Sequence, residues 1–216
     1  MKVVYYLAHE VVRLGVDVKL GTVSDAAAVV ALEPDAVVVA TGSRPYVPDV
    51  PGAADGDVAI LSAWDVLSRN DRHGRRAVVV DEVGRQDAPN VAIHLARRFL
   101  QVDLITTCFH AAEDEGLTVR IPLYEQLHRC GIRLTPHTRL QGIDGGAVVV
   151  SNVYSRQELR LEGVDVLILV LGAEAVDGLM AALRGRVPTL VPVGDCVAPR
   201  RVEIVVKEAS RVAREL

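Results

Sequence analysis

Residues 36–45 read Ala36-Val37-Val38-Val39-Ala40-Thr41-Gly42-Ser43-Arg44-Pro45. A continuous β-branched run of this kind fits a strand buried on both faces, as strands of parallel sheets are. The small and polar residues that follow end it sharply, and Pro45 fixes φ and removes a backbone donor. A second stretch has the same form: Val191-Pro192-Val193 runs into Gly194-Asp195-Cys196. In open α/β sheets ligands bind outside the carboxyl ends of the strands. Small residues there let the backbone approach a ligand, and an aspartate can accept hydrogen bonds from ribose or ribityl hydroxyls. Each stretch alone also reads as an ordinary turn or helix entry. The pair, in this order and with an α/β pattern between, points to a ligand-bearing α/β protein.

Working outward, Val4, Leu7, Val11 and Leu14 fall at helical spacing, which predicts a helix over 1–14. A short strand over 16–20 and a helix capped by Ser24 or Asp25 and running to Leu32 follow, before Pro34 stops it. Pro45, Pro48 and Pro51 make an extended connector, and Ser62 caps a helix over 63–67. The polar stretch 68–76 is the expected domain boundary. Beyond it a fresh pattern begins: strand 77–81, helix 89–100 with Pro89 in its first turn, strand 102–106, helix 122–130, strand 132–135. Segments 139–143, 147–151 and 157–161, broken by Asp144-Gly145-Gly146 and by 152–156, read as an antiparallel meander. An apolar strand 164–171, a helix 176–183, a strand 189–193 and an amphipathic helix 202–216 complete the chain. Parallel strands alternating with helices, plus one meander, argue a doubly wound α/β architecture.

Composition narrows the function. The 216 residues suit one or two domains, and 4% aromatics imply an aliphatic core. A net charge of -4 gives no reason to expect nucleic acid. No apolar run of 18 residues or signal peptide is evident, so neither a membrane span nor export is expected. Cys108, Cys130 and Cys196 form no CxxC pair, which argues against a disulfide framework or an iron–sulfur or zinc cradle and for a reducing cytoplasm. The six histidines lack metal-ligand spacing. Ser43 lies outside a GxSxG elbow, against a hydrolase. Cys196 reads as a small residue packed under a sheet, Arg200-Arg201 as a solvated helix start, and Glu113-Asp114-Glu115 as a solvated loop.

The Ala40-Thr41-Gly42 and Gly194-Asp195 pair resembles the second and third flavin motifs of flavoproteins with two dinucleotide-binding domains. Ser62 to Leu67, Leu117 to Tyr124, Asn152-Val153-Tyr154 and Gly194 to Arg200 are similar to the C-terminal half of NADH:flavin oxidoreductases of the 2,4-dienoyl-CoA reductase and trimethylamine dehydrogenase type. The resemblance covers essentially the whole chain. It implies Rossmann-like FAD/NAD(P)-binding domains: residues 1–72 and 164–216 as a flavin-type domain, and 73–163 as an inserted, degenerate NAD(P)-type domain. It also implies that Ala40, Thr41, Gly42, Ser43, Arg44, Gly194 and Asp195 contact FAD or ADP, with Gly84 serving the second domain and no catalytic residue in the chain itself.

Members of that family carry a strand and a GxGxxG loop upstream of these motifs, and before them a (β/α)₈ barrel with FMN and an iron–sulfur cluster. The expectation is that this chain lacks them. The first domain is then incomplete, and a protein partner or a homodimer completes its sheet and supplies the catalytic domain. NAD(P) is the cofactor with least support: in Asp81-Glu82-Val83-Gly84-Arg85-Gln86-Asp87 only Gly84 permits close backbone approach, and the acids oppose a pyrophosphate unless Arg85 offsets them. Thr106-Thr107 stands where an acid would meet the ribose. The other reading is a non-catalytic interaction or regulatory module that uses an open sheet edge.

Overall fold

The computed structural model describes residues 2–53, 58–68 and 74–216. The N-terminal part holds α1 (Lys2–Arg13), α2 (Ala26–Val30), β1 (Val37–Val39), β2 (Ser43–Pro45), β3 (Ala59–Ser62) and α3 (Ala63–Ser68). The middle holds β4 (Gly74–Asp81), α4 (Asp87–Leu95), β5 (Phe99–Thr106), α5 (Leu117–Arg129), β6 (Arg133–Thr135), β7 (Thr138–Asp144), β8 (Ala147–Asn152) and β9 (Glu158–Leu161). The tail holds β10 (Val166–Val170), β11 (Ala173–Ala175), α6 (Gly178–Leu183), β12 (Leu190–Pro192), a 3₁₀ turn at Gly194–Cys196 and α7 (Val202–Glu215).

Five strands form a parallel sheet in the order β3-β10-β4-β5-β6. All five residues of β10 are buried, as its unbroken apolar sequence requires of a strand covered on both faces. Side chains alternate across the sheet. Ala77, Val79, Val166, Ile168 and Val170 face α4 and α5, packing with Val91, Ala92, Leu95 and Leu127. Val78, Val80, Leu167 and Leu169 face the other way, onto Ile143, Val148, Val150 and Leu161. That second cover is the antiparallel meander β7-β8-β9, whose turn is the expected Asp144-Gly145-Gly146. Each aliphatic side chain so buried contributes about 1.5–3 kcal/mol relative to exposure. The sheet is therefore held between helices and meander.

A smaller unit surrounds the first quoted stretch. β1 pairs in parallel with β12, and β2 in antiparallel fashion with β11. Ala26, Val39, Leu183 and Cys196 form its core between α2 and α6. The Asp25 carboxylate caps α2 by accepting the Ala28 N–H at 2.8 Å, and the Ser62 hydroxyl caps α3 by accepting the Asp65 N–H at 3.1 Å.

Several expectations change. Residues 16–20 form no strand, and Val16 and Val18 are exposed with no neighbouring strand among the described residues. The 36–40 strand is not buried on both faces: it narrows to Val37–Val39 with Val38 46% exposed, because β12 is its one flanking strand among the described residues. The first helix forms, but Val4, Leu7 and Leu14 on its apolar stripe are exposed. α4 stops at Leu95 because the chain must turn to bury Phe99 at the start of β5. α5 begins at Leu117 and carries Pro122 inside it, tolerated because Pro122 lies on the exposed side where the bypassed carbonyl can meet water. β2, β3 and β11 were not expected. Of the stretch 68–76, residues 69–73 lie outside the described residues and 74–76 open β4. The sheet also takes β3 and β10 from either side of segment 73–163.

The connector after β2 is docked onto the meander through glycine. Pro51 O accepts the Ile143 N–H at 2.8 Å, and Gly52 sits at φ +78° with its missing Cβ position 1.7 Å from Ile143 O. Gly52→Ala is expected to destabilise the protein by roughly 3 kcal/mol or more, since strain and a backbone clash combine. Urea denaturation followed by circular dichroism measures it, and an unchanged midpoint would contradict this docking.

Candidate functional site

Parallel pairing in the register Val37↔Leu190, Val38↔Val191, Val39↔Pro192 brings the two quoted stretches to one edge, carboxyl ends together. The Val193 N–H donates to Val39 O at 2.9 Å. Beneath them the Cys196 thiol is buried and donates to Val39 O and Val193 O at 3.2 and 3.1 Å, so it is a packed strand tie as expected.

Above this tie the Ser43 hydroxyl donates to Asp195 Oδ2 at 3.1 Å, and the Arg200 N–H donates to Asp195 Oδ1 at 3.2 Å. Gly194 has φ +74°, and its N–H donates to Glu208 Oε2 at 2.7 Å. A Cβ there would lie 3.1 Å from Val205 Cγ1, so α7 packs close against this turn. Glu208 also pairs with Arg200 at 2.6 Å. The Gly194 N–H, aided by the Arg200 charge, holds the Glu208 carboxyl below the usual carboxylate range. Arg200 is thus more than a solvated helix start. Arg201 pairs with Glu115 at 3.1 Å, and the Glu115 side chain is only 8% exposed, which corrects the solvated-loop reading at Glu115, while Glu113 and Asp114 are exposed.

The other expected residues divide. The Thr41 hydroxyl donates to Val176 O, and Gly42 O accepts the Val176 N–H at 3.0 Å. Gly42 has φ +77° with open space where a side chain would stand, and Ala40 is exposed. Arg44 points its charge to Glu174 at 2.9 Å across the β2–β11 pair. The structure therefore brings Ser43, Gly194 and Asp195 into one cluster, sets Ala40, Thr41 and Gly42 beside it, and turns Arg44 to a separate ion pair.

Ser43, Asp195 and Arg200 form one wall of a cleft of about 340 Å³. Val83, Arg85 and Asn90, from the β4–α4 turn and α4, form the facing wall, with Trp64 and Leu169 between. Arg85 Nε and Arg200 Nε are buried without a hydrogen-bond partner among the described residues. Arg85 lies 3.5 Å from Asp87, and the cleft also holds Asp195 beside Arg200, so its charges balance. A larger groove of about 640 Å³ runs along α5 from His110 and Leu117 past Tyr124 to His128. The smaller cleft is the stronger ligand site, because it gathers polar and charged residues from the carboxyl ends of several parallel strands, after β4, β10 and β12. Trp64, Asn90 and Glu208 were not singled out from sequence; only their tertiary placement reveals them.

Gly84 lies in the β4–α4 turn at φ +72°, buried, with its missing Cβ position 3.2 Å from Cys108 Sγ. Asp81 ends β4 and is fully buried; its Oδ1 accepts the Val83 and Gly84 N–H groups at 3.0 and 3.1 Å, while Oδ2 has no hydrogen-bond partner among the described residues. Burial pushes the Asp81 carboxyl above its ordinary 3.8, against the stabilising pull of those two N–H groups and of the nearby Thr106 hydroxyl. No group of three potential metal ligands occurs among the described residues, and no described helix is long and apolar enough to cross a membrane.

No protein-family model matches the chain. It is 29% identical over 191 residues to a bilirubin reductase of Mediterraneibacter gnavus, covering 88% of this chain and 29% of that protein. It is 26% identical over 245 residues to an N,N-dimethylglycine/sarcosine dehydrogenase of Chromohalobacter salexigens, covering 95% of this chain and 35% of that protein. The chain thus spans about a third of the length of these curated relatives. Histamine dehydrogenase from Rhizobium sp. superimposes with a TM-score of 0.82 at 20% identity over 90% of this chain and 32% of its own. Lactococcus lactis thioredoxin reductase gives 0.63 at 18% identity over 83% of this chain and 64% of its own. The relatives are oxidoreductases by name, and the fold is the Rossmann-like α/β fold of FAD/NAD(P)-binding reductases.

The Asp81 arrangement carries a pH signature. A carboxyl raised in the folded state contributes stability that is complete below its unfolded pKa and lost as pH rises through the folded value. Asp81→Asn keeps the acceptor for Val83 and Gly84 and removes the buried charge. It should raise the melting temperature at pH 7 by about 2–4 °C, the shift of roughly 1 kcal/mol in a chain of this size, with the gain fading toward pH 4. Differential scanning fluorimetry across that range checks it; a gain equal at both pH values would exclude Asp81 as the titrating group.

Proposed function

We propose that the chain is the dinucleotide-positioning rear portion of a flavin-dependent oxidoreductase, holding FAD or ADP at the carboxyl ends of β1 and β12. The hydrogen bond from Ser43 to Asp195, which joins residues 152 positions apart at the mouth of the cleft, carries this reading. The residues fit such a ligand. Gly42 leaves open space, and the Asp195 carboxylate can accept further hydrogen bonds beyond those from Ser43 and Arg200, as ribityl or ribose hydroxyls would supply. Arg200 brings a guanidinium donor to the Asp195 wall for phosphate oxygens. A bound flavin would supply the electron transfer. The chain's own residues bind and orient: Glu208 fixes the Gly194 turn and Arg200, and thereby Asp195.

A protein partner, or a second copy of the chain, completes the sheet and supplies the catalytic domain in this reading. Its support is the single strand neighbour of β1 among the described residues, with Val38 exposed, and the separate exposed apolar stripe Val3, Val4, Tyr5 and Tyr6 of α1. The same surface favours the second reading, a docking or regulatory module without a nucleotide. A cytoplasmic setting belongs to the proposal and draws on the three free cysteines.

Calorimetric titration with FAD and with ADP, alone and with a candidate partner, separates the two. Asp195→Ala is expected to weaken nucleotide affinity about tenfold, a loss of about 1.4 kcal/mol, without lowering the melting temperature. Absence of binding by either nucleotide under all these conditions would leave the docking reading.

A further inference from the structure

The β4–α4 turn is where a parallel α/β unit ordinarily receives a dinucleotide. Backbone N–H groups of the turn and the first turn of the following helix face the pyrophosphate. β4 is flanked by β10 and β5, and α4 follows it at once, so the setting for such a site is complete. What fills the turn is the chain's own carboxyl group. Asp81 Oδ1 accepts the N–H groups of both Val83 and Gly84, at 3.0 and 3.1 Å. These are the amides a phosphate oxygen would need.

Three further observations close the turn. Gly84 is buried, its α-carbon faces Cys108 Sγ at a distance that leaves 3.2 Å to a Cβ, and its carbonyl accepts the Asp114 N–H at 2.9 Å. The glycine thus packs under the loop after β5 and offers no free face for close approach. Asp81 Oδ2 is buried without a hydrogen-bond partner among the described residues, so a phosphate would meet a second carboxyl oxygen there. Glu82 and Asp87 flank the turn, with Arg85 the one basic residue between Asp81 and Asn90. Like charges dominate where an anion would have to sit.

We propose that Asp81, buried behind the cleft wall, is a built-in phosphate substitute and the specificity-determining residue of the β4–α4 turn: it occupies the turn amides, excludes NADH and NADPH from the five-stranded sheet, and leaves the cleft to a nucleotide held from the β1–β12 side. This rests on the reading of the cleft as a dinucleotide cleft. The exclusion follows from competition, because a tethered carboxyl group already in place is displaced only by a ligand that gains more than the two hydrogen bonds and the buried packing it breaks.

The full chain is titrated with NADH and NADPH by calorimetry, with amide hydrogen exchange followed over residues 82–91. The wild type is expected to show no saturable binding up to about 1 mM, the range of the weakest specific sites. Asp81→Ala, which frees both amides, should bind NADPH at least tenfold more tightly than the wild type and slow exchange at 83–84. Asp81→Asn, which keeps the acceptor, should gain nothing. Saturable NADPH binding by the wild type with protection of 83–84 overturns the proposal, and so does a folded Asp81→Ala protein with no gain. If Asp81→Ala does not fold, the wild type and Asp81→Asn decide: saturable binding with that protection in either overturns the proposal, and its absence in both upholds it. FAD and ADP titrations of Asp195→Ala read the other wall of the cleft, so failure of one idea leaves the other identifiable.

Discussion

Hydrogen bonding of β10 along both of its edges is the constraint on which the remaining structure depends. Val166–Val170 enters between β3 and β4, strands contributed by earlier parts of the chain, and every one of its residues is buried. Once it is in place, the chain leaves the sheet at the carboxyl ends of the strands, beside the β4–α4 turn. Gly172 O then accepts the Tyr46 N–H at 3.1 Å, β11 lies along β2, and β12 can reach β1. The cleft is a by-product of that exit: two sets of strand ends face each other because one buried strand returns the chain between them.

Electrostatics then sets the character of each wall. On one side a chain of partners runs from Glu208 through the Gly194 amide and Arg200 to Asp195 and Ser43, and every charged member has an opposite charge or a donor within reach. Networks of this kind orient a group while leaving it accessible. On the other side Asp81 is buried, with Oδ1 accepting two backbone N–H groups and Oδ2 without a hydrogen-bond partner among the described residues. One wall is organised to meet hydroxyls and phosphates, and the other is closed upon itself.

The legible parts of the fold were those in which local chemistry and tertiary packing agree. The apolar run before Gly172 announced a strand, Asp144-Gly145-Gly146 announced the meander's turn, and Ser24 or Asp25 and Ser62 announced helix starts, of which Asp25 and Ser62 do cap. What escaped notice depends on distant partners. β2 and β11 are three residues each and include Pro45 and Glu174, poor strand formers that pair only because the chain crosses there. Pro122 reads as a helix start until one knows that its side of α5 is exposed. For the site, Gly194-Asp195 and Ser43 were legible because strand-end residue types are distinctive. Glu208 was not, since an acid in an amphipathic helix ordinarily faces solvent, and the bond from Gly194 to it spans a turn and a half-exposed helix face that no spacing encodes.

Cys196 gives the assembly an internal clock. Its thiol bridges the carbonyls of Val39 and Val193 with almost no exposed surface, whereas Cys130 at the end of α5 is open to solvent. Alkylating reagents reach a buried thiol only when its surroundings open. The rate at which Cys196 is modified relative to Cys130 therefore counts the separations of β1 from β12, and a ligand seated on those strand ends would slow that rate without touching the sulfur.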